Sequence, residues 1–184
     1  NNEPKSAAIE FPWDSGDGCP PNYSYCGVLD VCEEGSIYGY KLPGGEQCSS
    51  MQTPVIRLKP GHKYKFTLRN GSKTMTTKTN IHLHGLHVSG SGDADDVTRL
   101  VTAGHCLDYT WEILPDHPGG THWYHAHPHG AAERQVNGGA FGLLIVEDNP
   151  EADGDIPVWA SNELLLQISN IENVVRANGK PYEI

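Results

Sequence analysis

Gly120-Thr121-His122-Trp123-Tyr124-His125-Ala126-His127-Pro128-His129-Gly130 is the stretch that decides the fold of this chain, and it holds four of the chain's ten histidines. Successive side chains of an extended strand point to opposite faces. His125 and His127 therefore share one face, and Tyr124 and Ala126 share the other. Two imidazoles at positions i and i+2 are close enough to bind one metal ion or a tight pair of ions. Neutral imidazole suits zinc, copper, iron and nickel, so the ligand type alone leaves the metal open.

A second pair of histidines lies upstream, in the stretch Thr79-Asn80-Ile81-His82-Leu83-His84-Gly85. On a strand, His82 and His84 share one face, while Ile81 and Leu83 can fill a hydrophobic core on the other. A single histidine is usually a structural or surface residue. Two His-x-His pairs, each on a strand-like segment, instead favour metal binding.

Length and charge exclude some classes of function. The 184 residues suit one domain with a full core, and 13 basic against 23 acidic side chains give a formal net charge of −10. This balance argues against nucleic acid or an anionic membrane as partner, because either would attract a basic patch. No apolar run reaches the length of a membrane span, and residues 1–5 do not resemble a signal peptide, so a secreted form would already have lost its signal.

Cysteine usage predicts an oxidising compartment. Cys19, Cys26, Cys32 and Cys48 crowd into a segment rich in glycine and proline, at spacings unlike the C-x-x-C of zinc or redox motifs. We expect one or two disulfides there, with three pairings open, in a secreted or extracytoplasmic protein. Cys106 is expected to pair back or to remain a buried free thiol. Two sequons, at 22–24 and 70–72, fit a secreted eukaryotic protein, although Asn70-Gly71 also suits a hairpin turn.

Short apolar segments separated by turn residues predict an all-β sandwich or barrel. Residues 1 to about 50 show no sustained periodicity, so we expect an irregular N-terminal arm. A short helix is expected after His129. Strands are predicted at 54–58, 62–69, 80–84, 108–113, 121–127, 141–146 and 163–168.

The two histidine motifs resemble the N-terminal copper motifs of multicopper oxidases, the family of laccases, ferroxidases and bilirubin oxidases. The resemblance covers about residues 53 to 150, and the stretch from Gly139 to Asp148 is similar to the strand that closes the first cupredoxin domain. It implies a cupredoxin-like Greek-key β-sandwich or barrel with an irregular, disulfide-stapled N-terminal arm. The implied domains are a cysteine-rich arm (1–52), a plastocyanin-like copper-binding domain (53–150), and the start of a truncated second cupredoxin domain or a linker (151–184).

The resemblance also implies a role for each paired histidine. His82 would bind the type 2 copper, His84 and His125 one copper of the type 3 pair, and His127 the other. A C-terminal cupredoxin domain of the same protein, or another chain, would supply as many histidines again and complete a trinuclear cluster that reduces dioxygen to water.

Three further residues are weaker candidates. His129 follows the second pair closely enough to be a ligand or to contact one. In the family, a loop carboxylate helps protons to reach the reducing oxygen, and Asp95 or Asp96 resembles it.

One family motif is absent from this sequence. The blue type 1 copper needs a His-Cys-His stretch, whereas His105-Cys106 is followed by Leu107, so Cys106 is not expected to bind copper. Alone, the chain should not be a competent oxidase, and we expect the N-terminal domain of a longer one. The alternatives are a non-catalytic copper-binding or storage cupredoxin, and a zinc hydrolase, for which no carboxylate beside the histidine pairs offers a general base.

Overall fold

The computed structural model describes residues 8–45, 48, 53–71, 77–154, 163–171, 174–178 and 180–181. Strands dominate these ranges, which confirms the predicted all-β class. The strands are β1 (Tyr25–Glu34), β2 (Ile37–Lys41), β3 (Ile56–Leu58), β4 (Lys63–Asn70), β5 (His82–His84), β6 (His105–Glu112), β7 (Gly120–His125), β8 (Phe141–Val146), β9 (Ile168–Ile171), β10 (Val174–Ala177) and β11 (Lys180–Pro181). Two short helices, α1 (Ala132–Asn137) and α2 (Pro150–Asp153), flank β8.

Two four-stranded sheets form the body of the described chain. The first has the order β2-β1-β4-β6 and the second the order β3-β8-β7-β5. β1 runs parallel to β4, and β3 runs parallel to β8, whereas the other neighbours are antiparallel. The strands of the tail form a separate small sheet of order β11-β10-β9.

The hydrophobic core lies between the two large sheets and follows the alternation read from the sequence. In β4, every second residue from Tyr64 is buried, and the ring of Phe66 stacks on Trp111 of β6 with 4.4 Å between centroids. From the second sheet, the buried ring of Tyr124 contacts Tyr40 of the first at 5.5 Å. Burying such a side chain stabilises the fold by roughly 1.5–3 kcal/mol, so these rings hold the sheets together.

The N-terminal segment is not the wholly irregular arm that the sequence predicts. β1 and β2 fall inside it, and β1 occupies the place between β2 and β4 in the first sheet. Leu29, Val31 and Tyr40 are almost fully buried. The prediction was therefore wrong for residues 25–41. Large side chains mark the period of β1 at Tyr25, Leu29 and Val31, but Gly27 interrupts the series, so the alternation is weak in the sequence.

Two disulfides staple this segment, as the cysteine pattern predicts. They join Cys19 to Cys26 and Cys32 to Cys48. Cys106 is a free thiol and is exposed, so the expectation of a paired or buried cysteine was wrong. The alternation of β6 explains this, because Tyr109 and Trp111 point into the core and residues of the opposite parity, such as Cys106, point outward.

The later elements match the sequence prediction except in the tail. β8 and the short helix α1 lie where they were expected. No strand forms at 163–167, because pairing with β10 begins only at Ile168, opposite Ala177. Leu164 is 79% exposed, so its leucine-rich stretch is not a buried strand. Among the described residues, no helix is long and apolar enough to cross a membrane.

Candidate metal centre

Three of the four paired histidines, His82, His84 and His125, lie on neighbouring strands of the second sheet, and His127 lies two residues beyond the end of β7. β5 and β7 are antiparallel neighbours, with His82 opposite His125 and His84 opposite Trp123. The residues of opposite parity, Leu83 and Tyr124, are at most 1% exposed and point into the core. The predicted alternation is therefore correct, and it turns the imidazoles of both strands to one common face.

Three imidazoles form a compact group on that face. The candidate ligand atoms of His82, His84 and His125 all lie within 4.8 Å of one another. Nδ1 of His84 is 3.3 Å from Nε2 of His125, and the rings of His82 and His125 stand perpendicular at 5.2 Å. This is the one group of three or more potential metal ligands found in the described part of the chain, and it contains no carboxylate.

His125 is held in the neutral form that binds metals. Its Nδ1 lies 3.0 Å from the backbone carbonyl of Ala126. A carbonyl oxygen only accepts, so Nδ1 carries the proton and the lone pair of Nε2 faces His84. Burial lowers the pKa of His125, and the neighbouring imidazoles lower it further. Nδ1 of His84 donates its proton to this lone pair, and the hydrogen bond holds the two rings together. A bound metal ion would replace the shared proton.

Asp95 orients His82 from behind. This carboxylate is only 7% exposed, and its Oδ2 lies 2.7 Å from Nδ1 of His82. Its other oxygen accepts the backbone N–H of Leu83 at 3.0 Å. Nδ1 of His82 is therefore the donor, which leaves Nε2 as the metal-binding nitrogen. Asp96 points elsewhere, because its Oδ1 accepts hydrogen bonds from the backbone and hydroxyl of Thr98.

His127 lies at the rim of the group. Its ring centroid is 5.3 Å from that of His82 and 5.8 Å from that of His125, and the residue is exposed. His129 is also exposed and is not part of the three-histidine group. Both line an open groove of about 500 Å³, together with Val97, Thr98, Leu100, Pro128, Gly130 and Ala132.

Sequence reasoning missed the role of Asn80, which ties the two motifs together. Asn80 is fully buried, and its Oδ1 accepts the backbone N–H of His127 at 2.8 Å. Its amide nitrogen donates to the carbonyl of Val97, and its own carbonyl accepts the hydroxyl proton of Tyr40. Asn80 has the strand parity of His82 and His84, so nothing in the sequence indicates that its side chain is buried and fully hydrogen-bonded.

Trp123 is a second residue whose role was missed. It shares the parity of His125, and its indole stacks on that imidazole with centroids 4.1 Å apart and planes 24° apart. The same indole lies 5.1 Å from the ring of His84. Trp123 is 37% exposed, so it covers one side of the histidine group while keeping an edge in solvent.

His122 and His117 lie outside the group and act structurally. Burial, reinforced by the nearby His117, lowers the pKa of His122. His117 is 2% exposed; its Nε2 accepts the backbone N–H of His87, and its Nδ1 donates to the carbonyl of Pro118. Treating His117 as an ordinary turn residue therefore underestimated it. The ring of His122 packs closely against Gly85, which has φ of +88°. A Cβ at this position would lie 3.0 Å from Nδ1 of His122, so the contact favours glycine there.

This β-sandwich, with two His-x-His strands side by side, defines the chain as a cupredoxin-type domain with a metal-binding face. The multicopper oxidase family model matches residues 49–151, which is more than half of the chain. The chain therefore belongs to the multicopper oxidase family, and family membership implies copper.

Relatives from fungi and bacteria support this assignment. The chain is 30% identical to the iron transport multicopper oxidase FET3 of Candida albicans over 152 residues, which cover 80% of this chain and 22% of that protein. It is 35% identical to the multicopper oxidase mco of Staphylococcus haemolyticus over 96 residues, 52% of this chain and 20% of that protein. The chain thus spans about a fifth of the length of these relatives.

Solved structures show the same fold. A laccase from Pediococcus acidilactici superposes with a TM-score of 0.69 at 20% identity, covering 98% of this chain and 42% of that one. A multicopper oxidase from Campylobacter jejuni, described as a metallo-oxidase, gives 0.67 at 23% identity, over 96% of this chain and 39% of that one. These likenesses confirm the predicted cupredoxin-like architecture.

Proposed function

We propose that this chain is the copper-binding N-terminal domain of a multicopper oxidase, and that it supplies half of the histidine ligands of a trinuclear copper cluster. The single observation that carries the proposal is the convergence of His82, His84 and His125 on one face of two adjacent strands. His127 lies at the rim of the same face and is the proposed fourth ligand.

The donor set fits copper. Imidazole nitrogens suit copper, and the compact group holds no carboxylate that would favour a harder cation. Depression of the His125 pKa by burial favours the neutral ring, which is the form that coordinates a metal. A zinc hydrolase fits less well, because the buried carboxylate beside the group, Asp95, lies behind the ring of His82 on its Nδ1 side, where it would not face a water bound to a metal at Nε2.

The ligand roles proposed are those of the family. His82 would hold the type 2 copper, His84 and His125 one type 3 copper, and His127 the other. Copper at these positions supplies the one-electron steps that reduce dioxygen to water, coupled to oxidation of a substrate. The chain's residues orient and shield this site: Asp95 fixes the ring of His82, Asn80 fixes the backbone of His127, and Trp123 covers His84 and His125.

Asp95 is also the proposed proton relay. It is buried beside His82, and its carboxylate can accept the proton on Nδ1 of that imidazole and return it. Asp96 was the other candidate, but its Oδ1 accepts a hydrogen bond from the hydroxyl of Thr98 instead of contacting the histidines. The structure thus favours Asp95 for this role. His129, exposed beyond the rim, is not proposed as a ligand.

We propose residues 53–150 as the copper-binding cupredoxin unit and residues 151–184 as the beginning of a second cupredoxin domain. The other half of the ligands and the type 1 copper would come from a C-terminal cupredoxin domain of the same protein or from another chain. The length of the relatives leaves room for such a domain, and the exposed His84 and His127 leave it access. The two disulfides suit a secreted or extracytoplasmic location.

Metal competition tests the proposal. The purified chain is loaded with equimolar copper and zinc and dialysed, and its metal content is measured by element. We expect copper to be retained in preference, and a His84→Ala variant to lose most of it. His105→Ala is the matched control, because His105 is exposed and its imidazole contacts Thr102 and Ala103 of its own turn. Preferential retention of zinc, or equal copper loss in both variants, would defeat the assignment.

A further inference from the structure

The two N-glycosylation sequons of the chain have opposite environments in the fold. Asn22-Tyr23-Ser24 lies in the turn before β1, and Asn22 is exposed. Asn70 of Asn70-Gly71-Ser72 is the last residue of β4 and is fully buried. An N-linked glycan is bulky and needs a surface position. The exposure of Asn22 and the burial of Asn70 therefore distinguish the two sequons, which the motif alone does not do.

The Asn22 turn presents its side chain on a rigid support. Tyr23 N–H closes the turn on the carbonyl of Pro20 at 3.0 Å. The hydroxyl of Tyr23 lies 2.9 Å from that of Thr110, and Ser24 exchanges hydrogen bonds with the backbone of Lys63. The disulfide between Cys19 and Cys26 closes the loop around the sequon. The flanking residues are thus anchored to β4 and β6 while Asn22 faces solvent.

Asn70 is held inside the fold by its own contacts. Its amide nitrogen donates to the carbonyl of Thr77 at 3.4 Å, and its backbone carbonyl accepts the N–H of Gly104 at 2.7 Å. It also pairs in register with His105 of β6. A glycan on this amide would have to pull the end of β4 out of the first sheet, so a chain modified there would not reach the native fold.

We propose that Asn22 is an N-glycosylation site of the folded protein and that Asn70 is not. The donor is a lipid-linked oligosaccharide diphosphate. The bond between the anomeric carbon and the diphosphate oxygen breaks, and a new bond forms from that carbon to Nδ2 of Asn22. The lipid diphosphate leaves, and the amide gives up one proton. This inference rests on the extracytoplasmic location proposed above and is independent of copper.

The site has a consequence for assembly. The Asn22 turn is anchored to β4 and β6 of the first sheet, whereas the histidine pairs lie on β5 and β7 of the second. A glycan at Asn22 keeps the turn in solvent. A partner domain would therefore be excluded from this end of the first sheet, while the face of the histidines stays accessible.

The test is secretion of the full chain from yeast, followed by intact-mass measurement before and after enzymatic removal of N-glycans. We expect one glycan, mapped by the Asn-to-Asp conversion to the peptide that contains Asn22. Asn22→Gln and Ser24→Ala should each abolish the mass shift, while Ser24→Thr keeps the sequon and the shift. A secreted wild-type chain without a glycan, or with the glycan on Asn70, overturns the proposal. Copper binding plays no part in this readout, so its outcome and that of the metal competition are separable.

Discussion

His82 depends on one buried carboxylate for its orientation. Asp95 fixes both the tautomer and the direction of the ring through a 2.7 Å contact with Nδ1, and it holds the adjacent backbone through Leu83. Carboxylates that accept from a metal-binding histidine raise the basicity of the imidazole and hold it ready for the metal. We therefore expect Asp95 to contribute to metal affinity without being a ligand.

Replacing Asp95 by asparagine should weaken copper binding by about 10–100-fold, the usual effect of removing such a supporting contact. The amide still fills the space, but it is a weaker acceptor for the proton on His82 Nδ1. The measurement is a titration of copper against a coloured chelator. Asp96→Asn is the control, since Asp96 contacts Thr98 instead of the histidines. Unchanged affinity in Asp95→Asn, or an equal loss in Asp96→Asn, would contradict this role.

The copper-free protein should lose stability as the pH falls. Burial lowers the pKa of both His122 and His125 below their ordinary value of 6.5. Between the lowered values and 6.5 the unfolded chain binds more protons than the folded one, so the free energy of unfolding rises with pH in that window. Above this pH window the full stability is present. It is lost as the pH falls through the lowered pKa values that His122 and His125 have in the folded chain.

Urea unfolding at several pH values between about 5 and 7.5 measures this dependence. His122→Gln should flatten the slope, because it removes one of the two titrating groups and leaves the proposed ligands in place. His105→Gln, at an exposed site, should keep the wild-type slope. If the urea concentration at the unfolding midpoint is constant over this pH range, folding does not keep His122 or His125 neutral.

Strand alternation made much of the site predictable. The parity rule placed His82, His84, His125 and His127 on one face, and it placed Tyr124 in the core. Strand parity does not predict which residue of a loop contacts a strand. The sequence therefore could not show that Asp95, and not Asp96, contacts His82. Asn80 was missed for a similar reason, since its partners, His127 and Val97, are distant in sequence.

At the scale of secondary structure elements, β1 is where sequence reading failed. This strand pairs with β2 on one side and runs parallel to β4 on the other, so it holds the first sheet together. The parallel neighbour β4 is distant in sequence and leaves no local signal, but the hairpin of β1 and β2 does, and its two-residue turn Gly35-Ser36, with Gly35 at φ +63°, was overlooked. The disulfide between Cys32 and Cys48 anchors this strand to the segment beyond β2.

Replacing Cys32 and Cys48 together by serine should lower the free energy of unfolding by about 3 kcal/mol, because the unfolded chain regains the freedom of a short closed loop. Both cysteines are buried, so placing two polar hydroxyls there adds to the loss. Denaturant unfolding measures the change. Cys106→Ser is the control, since that thiol is free and exposed, and its stability should match the wild type. A double variant as stable as the control would show that the disulfide does not support the sheet.

At the scale of the whole molecule, the histidine face would form only part of the proposed copper cluster. It offers three clustered imidazoles and a fourth at the rim, and two of the four proposed ligands, His84 and His127, are exposed. Multicopper oxidase relatives extend far beyond the matched region. We therefore expect the isolated chain to bind copper on this face, with coordination positions left open for ligands from a partner domain.

Anomalous diffraction at the copper absorption edge, from crystals of the copper-loaded chain, tests this claim most directly. The account predicts one copper at bonding distance, about 2 Å, from nitrogens of His84 and His125, and a second copper at that distance from His82, with at least one coordination position of each left open. Copper found only at histidines outside this face, such as His87 or His105, or no ordered copper at all, would contradict it.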